Sequence, residues 1–270
     1  MRVIREVSAG AVIEKEIFCV PDGCKLTKKT EPKEELPKTP EEKAEANRKK
    51  SERRFIRKVN SSFTSRSFYI TLTYDDFALP ISYEEAEKLI ANFLRRLKRW
   101  QPNLRAVTVT GYGRESNRLH HHLILDGDYI DIDKLLEMWT FGSIKRAERL
   151  RHHNYYNGID CGEDFTGLAV YLHAHSNAKT KGKRWKEAGK LSEPIKDKPR
   201  ELKIELSGDK PPRAPKGYKY IGIYESGFNQ NKYISFKYVR DVGLEEDDFK
   251  RGRQPFSSTC NWCRFATTIE

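Results

Sequence analysis

Long apolar runs are absent from this sequence, and cysteine is scarce. No stretch approaches the roughly 18 consecutive apolar residues that a membrane span requires, and no apolar segment of a secretory signal follows Met1. The five cysteines are an odd number in a chain without an export signal, so a disulfide framework is not expected. These absences predict a cytoplasmic protein with no membrane partner.

Four of the cysteines form two pairs that are close in sequence. Cys19 and Cys24 flank a Pro-Asp-Gly turn, and Cys260 and Cys263 form a CxxC pattern. Four thiolates can bind one zinc ion if the two ends of the chain meet, but one CxxC with an irregular partner is a weak zinc signature. Free thiols are therefore the favoured interpretation.

Acidic residues are in deficit relative to basic ones. The chain has 51 Lys and Arg residues against 39 Asp and Glu residues, which gives a net charge of +12. Such a surplus suits a polyanionic partner, and nucleic acid is the first candidate. With 270 residues the chain can bury a substantial core, as one large domain or as one domain with appendages.

Hydrophobic periodicity predicts a chain of the α+β class. Helical patterns alternate with short β-rich runs, so a mostly antiparallel sheet with helices on one face is the simplest arrangement. The predicted helices cover residues 41–59, 83–100, 133–139 and 164–176, and the predicted strands cover 67–74, 105–110, 119–125 and 142–150. We expect three regions: residues 1–40 with a hairpin and a flexible linker, a central domain at 41–200, and a C-terminal extension with short strands at 201–270.

Three consecutive histidines begin the apolar run Leu119–Leu125, which reads as a strand. Side chains alternate faces in a strand, so His120 and His122 point the same way, about 7 Å apart, and His121 points the opposite way. Two imidazoles at this spacing can converge on one divalent ion. The alternative is that both are ordinary surface or core histidines, and for His121 a packing or surface role is favoured.

Tyr171 lies on the predicted helix 164–176, and His175 follows one turn later on the same helix face. A tyrosine hydroxyl, whose ordinary pKa is about 10, can attack a phosphodiester only if the charge that develops is stabilised. A divalent ion can do this as a Lewis acid. On helix position alone, Tyr171 would be interpreted as a packed aromatic, and His175 as a base, a phosphate contact or a solvated residue.

Taken together, these segments resemble the HUH superfamily of tyrosine endonucleases, and most closely the rolling-circle replication initiators of plasmids and filamentous-type phages. The resemblance covers roughly residues 45–200. The segments that carry it are Phe68–Asp75, His120–His122, Trp139–Gly142 with Gly167–Leu172, and Lys183–Trp185 with Leu191–Pro194. An ordered set of this kind is more specific than a single short motif.

The resemblance implies a sheet of about five antiparallel strands within an endonuclease domain at residues 41–200. It implies a Mg²⁺ or Mn²⁺ ion held by His120 and His122, with Glu115 as a possible third ligand, and Tyr171 as the nucleophile with His175 beside it. The implied activity is nicking of one DNA strand through a 5′-phosphotyrosine link, followed by rejoining. The implied partner is single-stranded or hairpin origin DNA, with a host helicase as a further candidate and no small-molecule cofactor.

Two positions depart from the family pattern. The family often has a lysine three residues after its tyrosine, where this chain has Ala174, so Lys179, Lys181 or His175 would have to take its place. The family also often has a glutamate before the Tyr-Gly pair, and Gly111 stands at that position.

Several arginines on the predicted helices are candidates for phosphate contacts, whose effect should weaken steeply with salt. These candidates are Arg48, Arg53, Arg54, Arg95, Arg96 and Arg99. Three other functions stay open: a transposase or relaxase of the same superfamily, a degenerate protein that binds an origin hairpin without cutting it, and a histidine-site metallohydrolase of small substrates.

Overall fold

A computed structural model describes residues 1–32, 39–113, 116–126, 130–176, 184–204, 210–226 and 233–242. The helices in these ranges are α1 (Pro40–Ser62), α2 (Tyr83–Trp100), α3 (Ile132–Met138) and α4 (Thr166–His175). The strands are β1 (Arg2–Ala9), β2 (Val12–Cys19), β3 (Phe68–Thr73), β4 (Ala106–Tyr112), β5 (Leu119–Leu125), β6 (Ile144–Arg149), β7 (Tyr155–Tyr156), β8 (Ile159–Asp160), β9 (Lys186–Ala188), β10 (Ile195–Lys196), β11 (Arg200–Glu201), β12 (Tyr218–Ser226) and β13 (Tyr233–Arg240). The predicted α+β class with antiparallel sheets is confirmed.

The chain forms two compact units. The first unit combines Met1–Ser61, His153–Gly167 and the described part of Glu193–Glu270, and the second combines Ser62–His152 and Leu168–Ser192. The predicted domain division at residues 40 and 200 stays a prediction. No helix within the described ranges is long and apolar enough to cross a membrane.

The first unit contains a six-stranded sheet in which β10 or β11, β1, β2, β13 and β12 are neighbours in that order. The N-terminal hairpin β1–β2 is present as predicted, and β13 pairs with β2 along Val12–Ile17. The predicted C-terminal strands therefore extend the N-terminal hairpin. Cys19, Cys24 and Cys161 have free thiols, and Cys260 and Cys263 lie outside the described residues.

A buried ionic cluster lies between α1 and the sheet of the first unit. Glu16 accepts from Arg5 Nε at 2.6 Å, from Arg57 Nη2 at 2.5 Å and from the Tyr233 hydroxyl at 2.5 Å. Burial by itself would raise the pKa of Glu16, but the guanidinium groups of Arg57 and Arg5 outweigh burial and lower that pKa to about 2. A carboxylate held this way is charged in the folded protein across the physiological pH range.

The second unit contains a five-stranded antiparallel sheet in the order β6, β3, β5, β4, β9. One face of this sheet packs against α2 and α3, because the apolar positions of α2 recur at helical spacing and form one stripe. The helix α2 begins at Ser82, whose side chain accepts a hydrogen bond from the Glu85 amide at 3.2 Å. The predicted five-stranded sheet and the predicted bounds of α2 are confirmed.

The fourth helix lies on the opposite face of this sheet, so the expectation that all helices share one face is wrong. The rings of Tyr171 and His175 on α4 lie 5.8 and 5.0 Å from the ring of His122. Strand β5 has buried side chains on both faces, including Leu123 and Ile124, so both faces of the sheet need cover. Residues Ala169 and Leu172 of α4 are buried and provide part of that cover.

Candidate metal and nucleophile site

The candidate site is built on the middle strand of the five-stranded sheet. His120 pairs with Thr73 on β3 and Gly111 on β4, and His122 pairs with Thr71 and Val109. Cross-strand partners project to the same face, so both imidazoles stand on the side of the sheet that α4 covers. The alternation that was predicted for β5 positions these two side chains together.

A third imidazole joins them from α4. The ligand nitrogens of His120, His122 and His175 all lie within 4.8 Å of one another. The Nε2 atoms of His120 and His122 are 3.1 Å apart, and the ring centroid of His175 is 5.3 Å from that of His120. Two nitrogens that bind one ion at about 2.1 Å from neighbouring coordination positions are themselves about 3 Å apart. The spacing of this histidine triad therefore fits a metal ion.

The remaining ring nitrogens are held in orientations that suit ligation. His120 donates a hydrogen bond from Nδ1 to the Arg118 carbonyl oxygen at 3.2 Å, which leaves Nε2 free of a proton. His122 Nδ1 lies 2.8 Å from the Tyr69 hydroxyl and 3.2 Å from the Thr71 hydroxyl. Either hydroxyl can accept a hydrogen bond from a protonated Nδ1, so Nε2 of His122 is available as well.

Burial keeps the two strand histidines neutral. Burial lowers the pKa of His120, and it lowers the pKa of His122 to about 2, with a further contribution from the neighbouring His120 and His175 rings. Neutral imidazole is the form that binds a metal ion. The pair is therefore ready to bind an ion without first losing a proton.

Gly111 makes room for the third histidine. A Cβ atom at position 111 would lie 2.4 Å from the His175 carbonyl oxygen and 3.2 Å from its Cδ2 atom. Such a contact is shorter than packed atoms allow, so a side chain here would push the end of α4 away from β4. The position where the resemblance suggests a glutamate is occupied by glycine because α4 approaches the strand at this point.

Tyr171 stands next to the triad on the same helix as His175. Its ring lies 5.0 Å from the ring of His175 and 5.8 Å from that of His122, and 45% of its surface is exposed. The i to i+4 spacing explains why Tyr171 and His175 share a helix face. The structure thus brings the predicted nucleophile beside the predicted metal site with one side open to solvent.

His121 lies on the other face of β5, among the core residues beneath α2. The Tyr74 hydroxyl lies 2.6 Å from its Nε2 atom, and the Thr110 hydroxyl lies 2.8 Å from Nδ1. The side chain is fully buried, and burial lowers its pKa to about 3. His121 therefore belongs to the core of the second unit and takes no part in the triad.

The third ligand was missed by sequence reasoning, which assigned His175 to acid–base or phosphate roles. The signal that was available is its position one turn after Tyr171 on the same helix face. Glu115, which was predicted as a possible third ligand, lies outside the described residues, as do Lys179 and Lys181. The oxygen and ammonium groups of these side chains are not part of the described site.

The candidate phosphate-binding arginines fall into two groups. Arg54, Arg95 and Arg99 are exposed, which suits an external anion. The other three make internal contacts: Arg48 with Glu45 and Glu52, Arg53 with the rings of Tyr233 and Tyr224, and Arg96 with the Met138 carbonyl oxygen.

The fold and the histidines define a class of protein. A central antiparallel strand that presents alternate histidines fits the histidine motif of the HUH superfamily. Residues 67–157 match the sequence model of a family described as a replication-associated protein. The match contains His120 and His122 and ends before α4. It confirms the resemblance to a rolling-circle replication initiator and supports a role in DNA replication.

Neither the search of curated proteins nor the search of solved structures gave a match to this chain. The assignment therefore depends on the family match and on the geometry of the site.

Proposed function

We propose that this protein initiates rolling-circle replication by nicking single-stranded DNA at an origin, with Tyr171 as nucleophile and a divalent metal ion as cofactor. One observation carries the proposal. The half-exposed ring of Tyr171 lies 5.8 and 5.0 Å from the rings of His122 and His175, within a triad whose ligand nitrogens lie within 4.8 Å of one another. A nucleophile and an ion site at this separation can act on the same phosphodiester.

In this proposal His120, His122 and His175 hold the ion, and Tyr69 and Thr71 orient His122 through its Nδ1 atom. When bound, a Mg²⁺ or Mn²⁺ ion polarises the scissile phosphate and orients it for in-line attack. A carboxylate from Glu115 is an alternative third ligand.

Tyr171 performs the covalent step. Its hydroxyl oxygen forms a bond to phosphorus as the bond from phosphorus to O3′ breaks, the phenolic proton passes to solvent, and the released O3′ takes up a proton. The products are a 5′-phosphotyrosine link and a free 3′-hydroxyl group. Attack of a 3′-hydroxyl on the phosphotyrosine reverses the step and rejoins DNA strands.

The substrate in this proposal is an unpaired DNA strand, with a hairpin origin as its natural setting. The net charge of +12 favours binding to a polyanion, and the exposed Arg54, Arg95 and Arg99 are the best candidates for phosphate contacts. A host helicase that opens the origin duplex is a further proposed partner, and the expected location is the cytoplasm.

The test is the capture of a covalent adduct. The full chain is incubated with Mn²⁺ and a pool of labelled single-stranded oligonucleotides that carry a hairpin and a randomised loop, and the products are separated on a denaturing gel. A labelled protein band that is lost in Tyr171→Phe and kept in Tyr155→Phe supports the proposal. Tyr155 is a suitable control because it is 50% exposed and lies in the other unit.

A second candidate function is an origin-binding protein that does not cut. The positions Gly111 and Ala174, which lack the glutamate and lysine of the family pattern, favour it. Tight binding of the hairpin pool with no adduct in any divalent ion would establish this function and refute the first. A transposase or relaxase of the same superfamily would give the same adduct, so the sequences recovered from the adduct are needed to separate these from an initiator.

A further inference from the structure

Strand β6 forms one edge of the five-stranded sheet and carries an arginine in the same row as the metal site. Arg146 pairs with Thr71 on β3, and Thr71 in turn pairs with His122 on β5. Neighbouring strands are about 4.8 Å apart, so His122 and Arg146 are separated by a single small residue on the same face of the sheet. A long arginine side chain can reach across that distance.

The observed direction of the side chain agrees with this. The guanidinium carbon of Arg146 lies 5.6 Å from the centre of the Tyr69 ring, and the hydroxyl of that ring is 2.8 Å from His122 Nδ1. Arg146 also contributes to the lowered pKa of His122, after burial and the neighbouring histidines. A positive charge from β6 therefore acts on the site from the edge of the sheet.

Arg146 can exchange its present partner for an anion. It forms an ion pair with Glu148 at 2.8 Å, and the two side chains are 42% and 48% exposed. Exposed pairs of this kind contribute little free energy because water screens them. A phosphate oxygen pair offers the guanidinium group a stronger, two-point partner.

We propose that Arg146 binds a phosphate group of the DNA strand at the metal site. The inference rests on the proposed nickase function and adds a residue to it. Ala174 stands where the family pattern has a cation, and the two strand imidazoles of the triad are neutral, so apart from the ion the described site needs a positive group for the charge that develops on phosphate. Arg146 supplies that group from β6.

The main test uses Arg146→Ala and Arg146→Lys with Arg149→Ala as the matched control. Arg149 is three residues along the same strand, and its guanidinium group lies over Phe68, a core residue beneath the other face of the sheet. The oligonucleotide recovered from the wild-type adduct is used in single-turnover reactions with Mn²⁺. We expect Arg146→Ala to slow adduct formation by about 100-fold, as loss of one charge-stabilising group typically does. We expect a smaller loss in Arg146→Lys and a wild-type rate in Arg149→Ala.

A second measurement separates phosphate binding from a structural effect on the triad. Mn²⁺ affinity, measured by electron paramagnetic resonance without DNA, should be the same in Arg146→Ala and wild type. Weaker Mn²⁺ binding in Arg146→Ala would show that Arg146 acts through His122 and would overturn the inference. A wild-type rate in Arg146→Ala would also overturn it, as would a large loss confined to the double variant Lys179→Ala, Lys181→Ala.

Failure of the nickase proposal can be told apart from failure of this inference. If the wild-type protein forms no adduct, the nickase proposal fails, and Arg146 is then tested by DNA binding in the presence of EDTA. Loss of one phosphate contact should reduce the slope of log affinity against log salt by about 0.7 for single strands. That reduction in Arg146→Ala, with no change in Arg149→Ala, supports the contact, and equal slopes in both variants refute it.

Discussion

At the scale of single residues, neighbouring histidines of β5 have separate roles because strand geometry sends them to opposite faces. His120 and His122 join the triad, and His121 is bonded in the core to Tyr74 and Thr110. The assignment of His120 and His122 to one face could be predicted from the sequence, since alternation is a property of any strand. The contribution of His175 could not, because it depends on how α4 lies against the sheet.

The first prediction separates these roles by substitution. His121→Ala should destabilise the folded chain by about 2–4 kcal/mol, because it leaves a cavity and two buried hydroxyl groups without their partner. His120→Ala should change stability much less and should lower Mn²⁺ affinity at least tenfold. Denaturant unfolding and Mn²⁺ titration measure the two effects. Equal stability losses in both variants would contradict the division.

The second prediction concerns Gly111. Gly111→Ala should lower Mn²⁺ affinity by about 10- to 100-fold, a range typical of changes next to metal ligands, because the new Cβ displaces His175. Gly167→Ala is the matched control, since a Cβ at that α4 position meets no atom within 4 Å. The control should keep Mn²⁺ affinity and stabilise the helix by up to about 1 kcal/mol. Unchanged Mn²⁺ affinity in Gly111→Ala would show that His175 is not a ligand.

At the scale of elements, the sequence was most informative where periodicity and flanking signals agree. The bounds of α2 follow from its apolar stripe and from Ser82, and those of β5 follow from a β-rich run between turn residues. Helix α4 is apolar on most sides, so its pattern does not say which surface it covers. For this reason the sequence could not place α4 on the face of the sheet opposite α2.

The third prediction is that a metal ion links α4 to β5. Three imidazoles favour transition metals over the oxygen-preferring Mg²⁺, so Mn²⁺ should bind more tightly than Mg²⁺, and Co²⁺ and Zn²⁺ more tightly still. At a Mn²⁺ concentration about 100 times Kd, the folded protein should gain about 2.7 kcal/mol, and EDTA should remove the gain. Hydrogen exchange should slow at the end of α4 when Mn²⁺ is added to wild type but not to His175→Ala. Tighter binding of Mg²⁺ than Mn²⁺ would argue for oxygen ligands such as Glu115.

At the scale of the whole molecule, the largest feature that the sequence could not predict is the pairing of its distant ends. Strand β13 pairs with β2, so residues more than two hundred positions apart become neighbours. Local patterns predicted each strand of this sheet but carry no information on which strands pair. Glu16 shows the result, because its partners Arg5, Arg57 and Tyr233 come from β1, α1 and β13.

The fourth prediction is that this cluster makes the stability of the chain depend on acid pH. The pKa of Glu16 falls from an ordinary 4.5 to about 2 on folding, because Arg57 and Arg5 outweigh the effect of burial. A group whose pKa is lowered by folding stabilises the protein above its unfolded pKa, and the contribution is lost as pH falls through the folded pKa. Glu16 should therefore contribute up to about 3 kcal/mol at neutral pH, and this contribution should decline between pH 4.5 and 2.

Glu16→Gln tests this directly through chemical unfolding across that pH range. At about pH 7 the variant should be about 3–5 kcal/mol less stable than wild type, since it leaves two buried guanidinium groups short of a charged partner. The difference should shrink steadily as the pH falls towards 2. Glu45→Gln on the exposed side of α1 is the control, because its partners Arg48 and Lys49 are themselves partly exposed and such pairs contribute at most about 1 kcal/mol. A constant difference between wild type and Glu16→Gln at every pH would mean that the stabilisation comes from packing and hydrogen bonding, without a contribution from the ionised carboxylate.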